Sequence, residues 1–211
     1  MNYKEIVEAA KAYTDRYDDE LAAAMPAFTR VVEGKINNAL RTGDQSVRAQ
    51  ISMQRGQEYY SLPCDWGGFR DVELLSPGQT HGLALVYLSP EEMNKVSRQN
   101  NSSRGPHSYY TVIAGQIQIA PPADDQMLEV VYYQRLPELN KDDDTNWLTA
   151  KNPDAYIFGL CTEISAFAKD QMAFETYKTR FMDALIDITM EDQVTRWSGP
   201  ALRVQVEGLV V

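Results

Sequence analysis

The chain has two histidines, His81 and His107. His81 lies in the loop Gly78-Gln79-Thr80-His81-Gly82, and His107 follows Gly105-Pro106 in a polar stretch. Two isolated loop imidazoles make neither a three-ligand zinc site nor a Ser-His-Asp triad. The run Asp142-Asp143-Asp144 could draw a divalent cation. Calcium loops, however, alternate their oxygen ligands, turn sharply at a Gly and close with a Glu. Three consecutive Asp followed by Thr145-Asn146-Trp147 read instead as an acidic linker that caps a turn. Asp18/Asp19, Glu91/Glu92 and Asp124/Asp125 are adjacent in sequence. Neighbours diverge on a helix and face opposite sides on a strand, so each pair suits a cap or a turn better than acid/base work. Cys64 and Cys161 are far apart and outside any C-x-x-C pair, which argues against a disulfide framework or a zinc site. No G-x-x-x-x-G-K-[ST] or G-x-S-x-G segment is present, and Gly67-Gly68 reads as a turn. No catalytic, metal or cofactor site is therefore expected. A hydrolase would need an acid/base pair that this chain does not display.

The elements that would position other kinds of site are more informative. Hydrophobic residues make up 44% of the 211 residues and charged residues 24%, enough for a buried core. The formal net charge of −10 opposes tight nucleic-acid binding, which requires cations to neutralise phosphates. It is compatible with a surface that nucleic acid slides past, but an acidic surface that simply keeps the protein soluble is the favoured reading. Met1-Asn2-Tyr3-Lys4-Glu5 runs straight into a polar helical pattern with no apolar signal region. The expectation is synthesis in a cytoplasm, without a standard export signal and without a membrane span.

Asn2 and Glu5 have capping-box spacing, followed by Tyr3, Ile6, Val7, Ala10, Tyr13 and Tyr17 at helical intervals. Asp18 suits the N-cap of a short helix over Glu20 to Met25. Pro26 should stop or kink that helix and begin another, whose apolar face is Phe28, Val31, Val32, Ile36, Ala39 and Leu40. From Ser46 the period becomes two. Val47, Ala49, Ile51 and Met53 predict a half-buried strand, and further strands are expected at Val72 to Leu75, Leu83 to Leu88, Tyr109 to Ala114, Gln116 to Ala120 and Met127 to Tyr133. Ser89-Pro90-Glu91-Glu92 opens a short helix, and 97–108 is a polar loop. In Tyr59-Tyr60, Tyr109-Tyr110 and Tyr132-Tyr133, one ring of each pair must face away from the core, toward a partner or a solvated sheet face.

Asn152-Pro153-Asp154 starts the main C-terminal helix. Leu160, Phe167, Phe174, Phe181 and Ile188 recur every seven residues along it, with a break or kink expected at Lys169-Asp170-Gln171. After Trp197-Ser198-Gly199-Pro200, the alternation of Leu202, Val204 and Val206 predicts a terminal strand with no sequence-adjacent partner.

Five segments in order resemble the head-to-tail adaptor proteins of short-tailed bacteriophages. They are Tyr13-Thr14-Asp15-Arg16-Tyr17-Asp18-Asp19-Glu20-Leu21 with Lys35-Ile36-Asn37-Asn38-Ala39-Leu40-Arg41; Leu62-Pro63-Cys64-Asp65-Trp66 with Phe69-Arg70-Asp71-Val72; Tyr109-Tyr110-Thr111-Val112-Ile113-Ala114-Gly115 through Pro121-Pro122; Val131-Tyr132-Tyr133 with Leu136-Pro137-Glu138-Leu139; and Thr145-Asn146-Trp147-Leu148 through Leu160 and Ala168-Lys169-Asp170. Trp66, Gly67 and Gly68 depart from that pattern, where an aliphatic turn is more usual, and the tail from Ala201 to Val211 does not align with it.

The resemblance implies an α+β protein. A helical bundle (1–43 and 145–197) would carry an inserted antiparallel β-sandwich or barrel-like domain (44–144), with 198–211 as a C-terminal strand or tail. It implies a structural virion protein with no cofactor. Copies would form a ring, dodecameric in that family, which joins the portal to the tail nozzle, gives tail fibres a place to dock, and lets genomic DNA pass through its lumen without specific binding. Arg196, Trp197, Leu202, Val204 and Val206 are the expected portal or subunit interface. Asn101, Arg104 and His107 are the expected tail or fibre docking loop. The alternative is a β-sandwich binding module for glycans or fibre attachment, with Tyr59, Trp66, Tyr109 and the 97–108 loop as its face.

Overall fold

A computed structural model describes residues 1–76, 78, 82–99, 109–122 and 126–197. The chain is α+β and divides into two compact units, Met1–Asp44 with the segment from Pro137 onward, and Gln45–Leu136. The terminal strand expected at Leu202 to Val206 lies outside the described residues.

The first unit is helical. Helix α1 (Tyr3–Thr14) opens on the predicted capping box. The Glu5 amide donates to Asn2 Oδ1 at 2.9 Å, and the Asn2 amide donates to Glu5 Oε2 at 3.0 Å. The amides of Tyr3 and Lys4 donate to the carbonyls of Asp144 and Asp142, so the acidic linker also caps α1. Within that linker, the amides of Asn140 and Lys141 donate to Asp144 Oδ2 at 2.9 and 2.8 Å. Those backbone hydrogen bonds hold the Asp144 carboxyl below its ordinary pKa.

Helix α2 (Asp19–Ala39) is continuous, which corrects the expected break at Pro26. Proline removes one helical hydrogen bond and crowds the carbonyl four residues back. Here Pro26 and Ala22 are both exposed, so water can satisfy the freed Ala22 carbonyl. Leu21, Met25, Thr29, Val32 and Ile36 bury the opposite face through the proline.

After α3 (Pro90–Gln99), which belongs to the other unit, come α4 (Trp147–Lys151), α5 (Pro153–Phe167) and α6 (Gln171–Trp197). Helix α5 is buried around most of its girth and packs against α1, α2 and α6. The expected break at 169–171 is a complete reversal: Lys169 takes a left-handed φ of 59°, and α6 folds back along α5. The seven-residue row is therefore split. Leu160 and Phe167 lie on α5, and Phe174, Phe181 and Ile188 on α6. Gly159 marks the closest approach: a Cβ there would stand 2.6 Å from Val32 Cγ1 and 3.2 Å from Phe181 Cε2.

The second unit is a pair of open four-stranded sheets. Strands β1 (Ser46–Ser52), β8 (Met127–Gln134), β3 (Trp66–Leu75) and β4 (Leu83–Ala84) form one, in that order. Strands β2 (Tyr59–Ser61), β7 (Gln116–Ala120), β6 (Tyr109–Ile113) and β5 (Val86–Tyr87) form the other. Their facing residues share a core of Met53, Tyr60, Val72, Leu74, Leu85, Ile117, Ile119, Leu128, Val130 and Tyr132. The β6–β7 turn is Ala114-Gly115, with φ of 50° and 76°, the left-handed pair that a two-residue hairpin requires.

Three local expectations change. The run Leu83 to Leu88 is two short strands, because the chain crosses from one sheet to the other at buried Leu85. Strand β5 pairs parallel with β6, since the connection leads through helix α3 (Pro90–Gln99). Gly67-Gly68 lies inside the irregular start of β3 rather than in a turn. A Cβ at Gly67 would stand 2.8 Å from the Tyr133 carbonyl oxygen, so the close strand approach excludes a side chain.

Candidate functional site

Pairing absorbs the polar groups of the helical unit. Glu33 is 5% exposed. Its Oε1 accepts the Leu139 amide at 2.9 Å and the Tyr156 hydroxyl at 3.4 Å. Asn146 Nδ2 donates to the Tyr156 oxygen at 2.8 Å and to the Pro137 carbonyl at 3.2 Å. Burial pushes the Glu33 carboxyl above its ordinary pKa, against the opposing Leu139 hydrogen bond. The network ties the segment after Leu136 to α2 and α5.

A cleft of about 230 Å³ lies in the same unit, lined in part by Gly43, Asp44, Lys151, Asp192 and Arg196. Arg196 Nε stands 2.7 Å from Asp192 Oδ2, and its Nη2 donates to the Arg41 carbonyl at 3.3 Å. The Gly43 amide donates to Asp192 Oδ1. Lys151 Nζ stands 2.6 Å from Asp44 Oδ1. These charges neutralise one another and fasten the last turns of α6 to the segment leaving α2. Among the described residues, no cluster of His, Cys, Asp and Glu could hold a metal ion.

The expected site residues are thus only partly placed. Arg196 lies in the last turn of α6, at the cleft, and Trp197 is that helix's final residue. Leu202, Val204 and Val206 lie outside the described residues, as do Asn101, Arg104, His107 and His81. The face assembled from Tyr59, Trp66 and Tyr109 is not formed. Tyr59 pairs with Gln118 and Tyr109 with Ala120, on the sheet face opposite Ile117 and Ile119. Trp66 packs against the core, edge-to-face with Phe69 at 5.3 Å.

The most distinctive surface was not anticipated. Met172, Met182, Ile186, Met190 and Val194 of α6 are between 47% and 83% exposed. The last four recur every fourth residue, a ridge on the helix side away from buried Phe181, Leu185 and Ile188. Large apolar groups gathered on one exposed helical face mark an interaction surface. The signal was readable as a second apolar row, overshadowed by the seven-residue row of aromatics.

A whole-chain comparison decides the family. A family model described as SU10 adaptor protein matches residues 1–204. The chain belongs to the SU10 adaptor family. This is a family of phage structural adaptors rather than a known class of enzyme, and adaptors work by contacting other components and copies. The paired charges and the exposed α6 ridge of this SU10 adaptor suit that role. Among curated proteins, none matches the chain. No helix among the described residues is long and apolar enough to cross a membrane.

Proposed function

We propose that the protein forms the ring joining the phage portal to the tail and extending the channel through which DNA leaves the capsid. The observation that carries this reading is the family match across residues 1–204. The net charge of −10 supports it, because a wall that repels phosphates lets DNA pass without gripping it. In this reading the protein is a virion component, and the ring is dodecameric. The helical unit makes the ring and portal contacts. The β-unit faces the nozzle and the fibres, with Asn101, Arg104 and His107 in the docking loop. Arg196, Trp197, Leu202, Val204 and Val206 meet the portal or a neighbouring subunit.

Mass photometry of the purified chain with and without portal protein tests it. The expected result is a complex whose mass equals the portal plus a ring of adaptors. A chain that stays monomeric in the presence of portal refutes the reading. A hit on a glycan array together with a monomeric chain would favour the binding-module alternative.

A further inference from the structure

We propose that the α6 ridge of one copy seats on the outward face of α2 in the next copy, forming the head-to-tail contact of the ring. The proposal rests on the ring reading above and adds the surfaces that would make the ring.

Shape is the first argument. Met182, Ile186, Met190 and Val194 form a protruding row at four-residue intervals. The exposed face of α2 offers Ala23, Ala27, Val31 and Gly34. A Cβ added at Gly34 would meet nothing within 4 Å, so this face is shallow and open. Four-residue ridges interdigitate with four-residue grooves at a crossing of about −50°. Unbranched, flexible methionines adapt readily to a surface of small residues.

Placement is the second. Val32 of α2 and Phe181 of α6 reach the same point on α5, at Gly159. Ala23 lies nine residues before Val32, and Met190 nine residues after Phe181. Nine residues are two and a half helical turns, which puts each on the far side of its helix. Groove and ridge therefore both face away from the shared contact. Two unlike patches on one chain give a heterologous contact, which continues from copy to copy until rotation closes a ring.

Charge is the third. Asp183, Asp187 and Glu191 run beside the ridge at the same four-residue interval. Arg30 and Lys35 border the α2 face, where Lys35 also pairs with Glu163 of its own chain. Glu20 lies at the Ala23 end of that face, so the acidic row of the ridge is matched by bases over the half around Val31 and Gly34. Ridge against ridge would set two acidic rows together, and like-charge juxtaposition opposes that alternative.

The test uses the full chain with Cys64→Ser, which removes the exposed native thiol. Ala27→Cys and Ile186→Cys are introduced singly and together, and each protein is assembled with portal and oxidised. The expected result is a ladder of cross-linked multimers from the double variant and none from either single variant. Dimers from Ile186→Cys alone would show ridge-on-ridge packing and overturn the proposal. In parallel, Met190→Asp should shift the chain from the ring mass to the monomer mass while leaving its circular dichroism unchanged. A Met190→Asp chain that still forms the full ring, with no ladder from the double cysteine variant, overturns the proposal and leaves the ring reading standing. If the parent chain itself stays monomeric with portal, both fall together.

Discussion

Gly159 is where three helices meet, and its replacement by Ala is the sharpest test of the packing. The new methyl would stand 2.6 Å from Val32 Cγ1, closer than carbon atoms approach without something shifting. Val32 is fully buried, so it has no solvent to retreat into. Overpacking of this kind costs about 1–3 kcal/mol. Replacing a mid-helix Gly by Ala returns about 0.5–1 kcal/mol through helix propensity. The net expectation for Gly159→Ala is a loss of about 0–2.5 kcal/mol. Val32→Ala alone deletes buried methyls and should cost about 2 kcal/mol. The two side chains compete for one space, so the double variant should be more stable than the sum of the singles predicts, by about 1 kcal/mol. The assay is urea denaturation followed by helical ellipticity, run as a double-mutant cycle. Energies that add to within about 0.5 kcal/mol would refute the reasoning, because independent sites behave that way. So would a Gly159→Ala chain more stable than the parent.

Three further outcomes follow from the same kind of reading. Glu33 has a raised pKa, so the folded state holds its proton more tightly than the unfolded chain; its contribution is present below the ordinary glutamate value and lost as pH rises through the raised one. Glu33→Gln should flatten stability measured against pH in that window, whereas Glu33→Ala should cost about 1–3 kcal/mol in urea melts at neutral pH by leaving the Leu139 amide without its acceptor. Cys64 is exposed, while burial pushes the Cys161 thiol up to about 12, so a thiol reagent at neutral pH should label one cysteine in the folded protein and both in denaturant. Gly67→Ala would press a methyl on the Tyr133 carbonyl, part of a backbone that cannot rotate away; a loss of about 1–3 kcal/mol is expected, read from the fluorescence of neighbouring Trp66.

Local chemistry in the sequence was a good guide wherever it acts over a few residues. The Asn2/Glu5 capping box, the Asp18 N-cap and the strands on either side of Gly115 all depend on near neighbours, and all stand as read. The failures arise where distant packing overrides local preference. Pro26 breaks helices in isolation, but α2 is held by a buried face that continues past it. The seven-residue row from Leu160 to Ile188 looks like one helix because α5 and α6 face each other and both need apolar residues at the seam. The polar run Lys169-Asp170-Gln171, which interrupts the apolar face, was the hint of the fold-back. Strand β5 pairs parallel because of where α3 returns the chain, which no residue in Val86-Tyr87 encodes. The α6 ridge escaped notice for a related reason. A helix apolar on two sides shows little amphipathic contrast, so its outward side reads as more core until the fold reveals what is already covered.

Two of the carboxylates that catch backbone amides, Asp192 at Gly43 and Glu33 at Leu139, lie close to the points where the chain leaves the helices for the β-unit and returns. Anything that pulls on the β-unit through its covalent links is resisted first at these clasps rather than in the apolar interior. The two differ in character. One lies half-buried at the cleft and is shared with Arg196, so salt can loosen it. The other is buried and tightened by a hydroxyl and an amide around it. Under load, the outgoing segment should yield before the returning one, and the helices would keep their packing while it does.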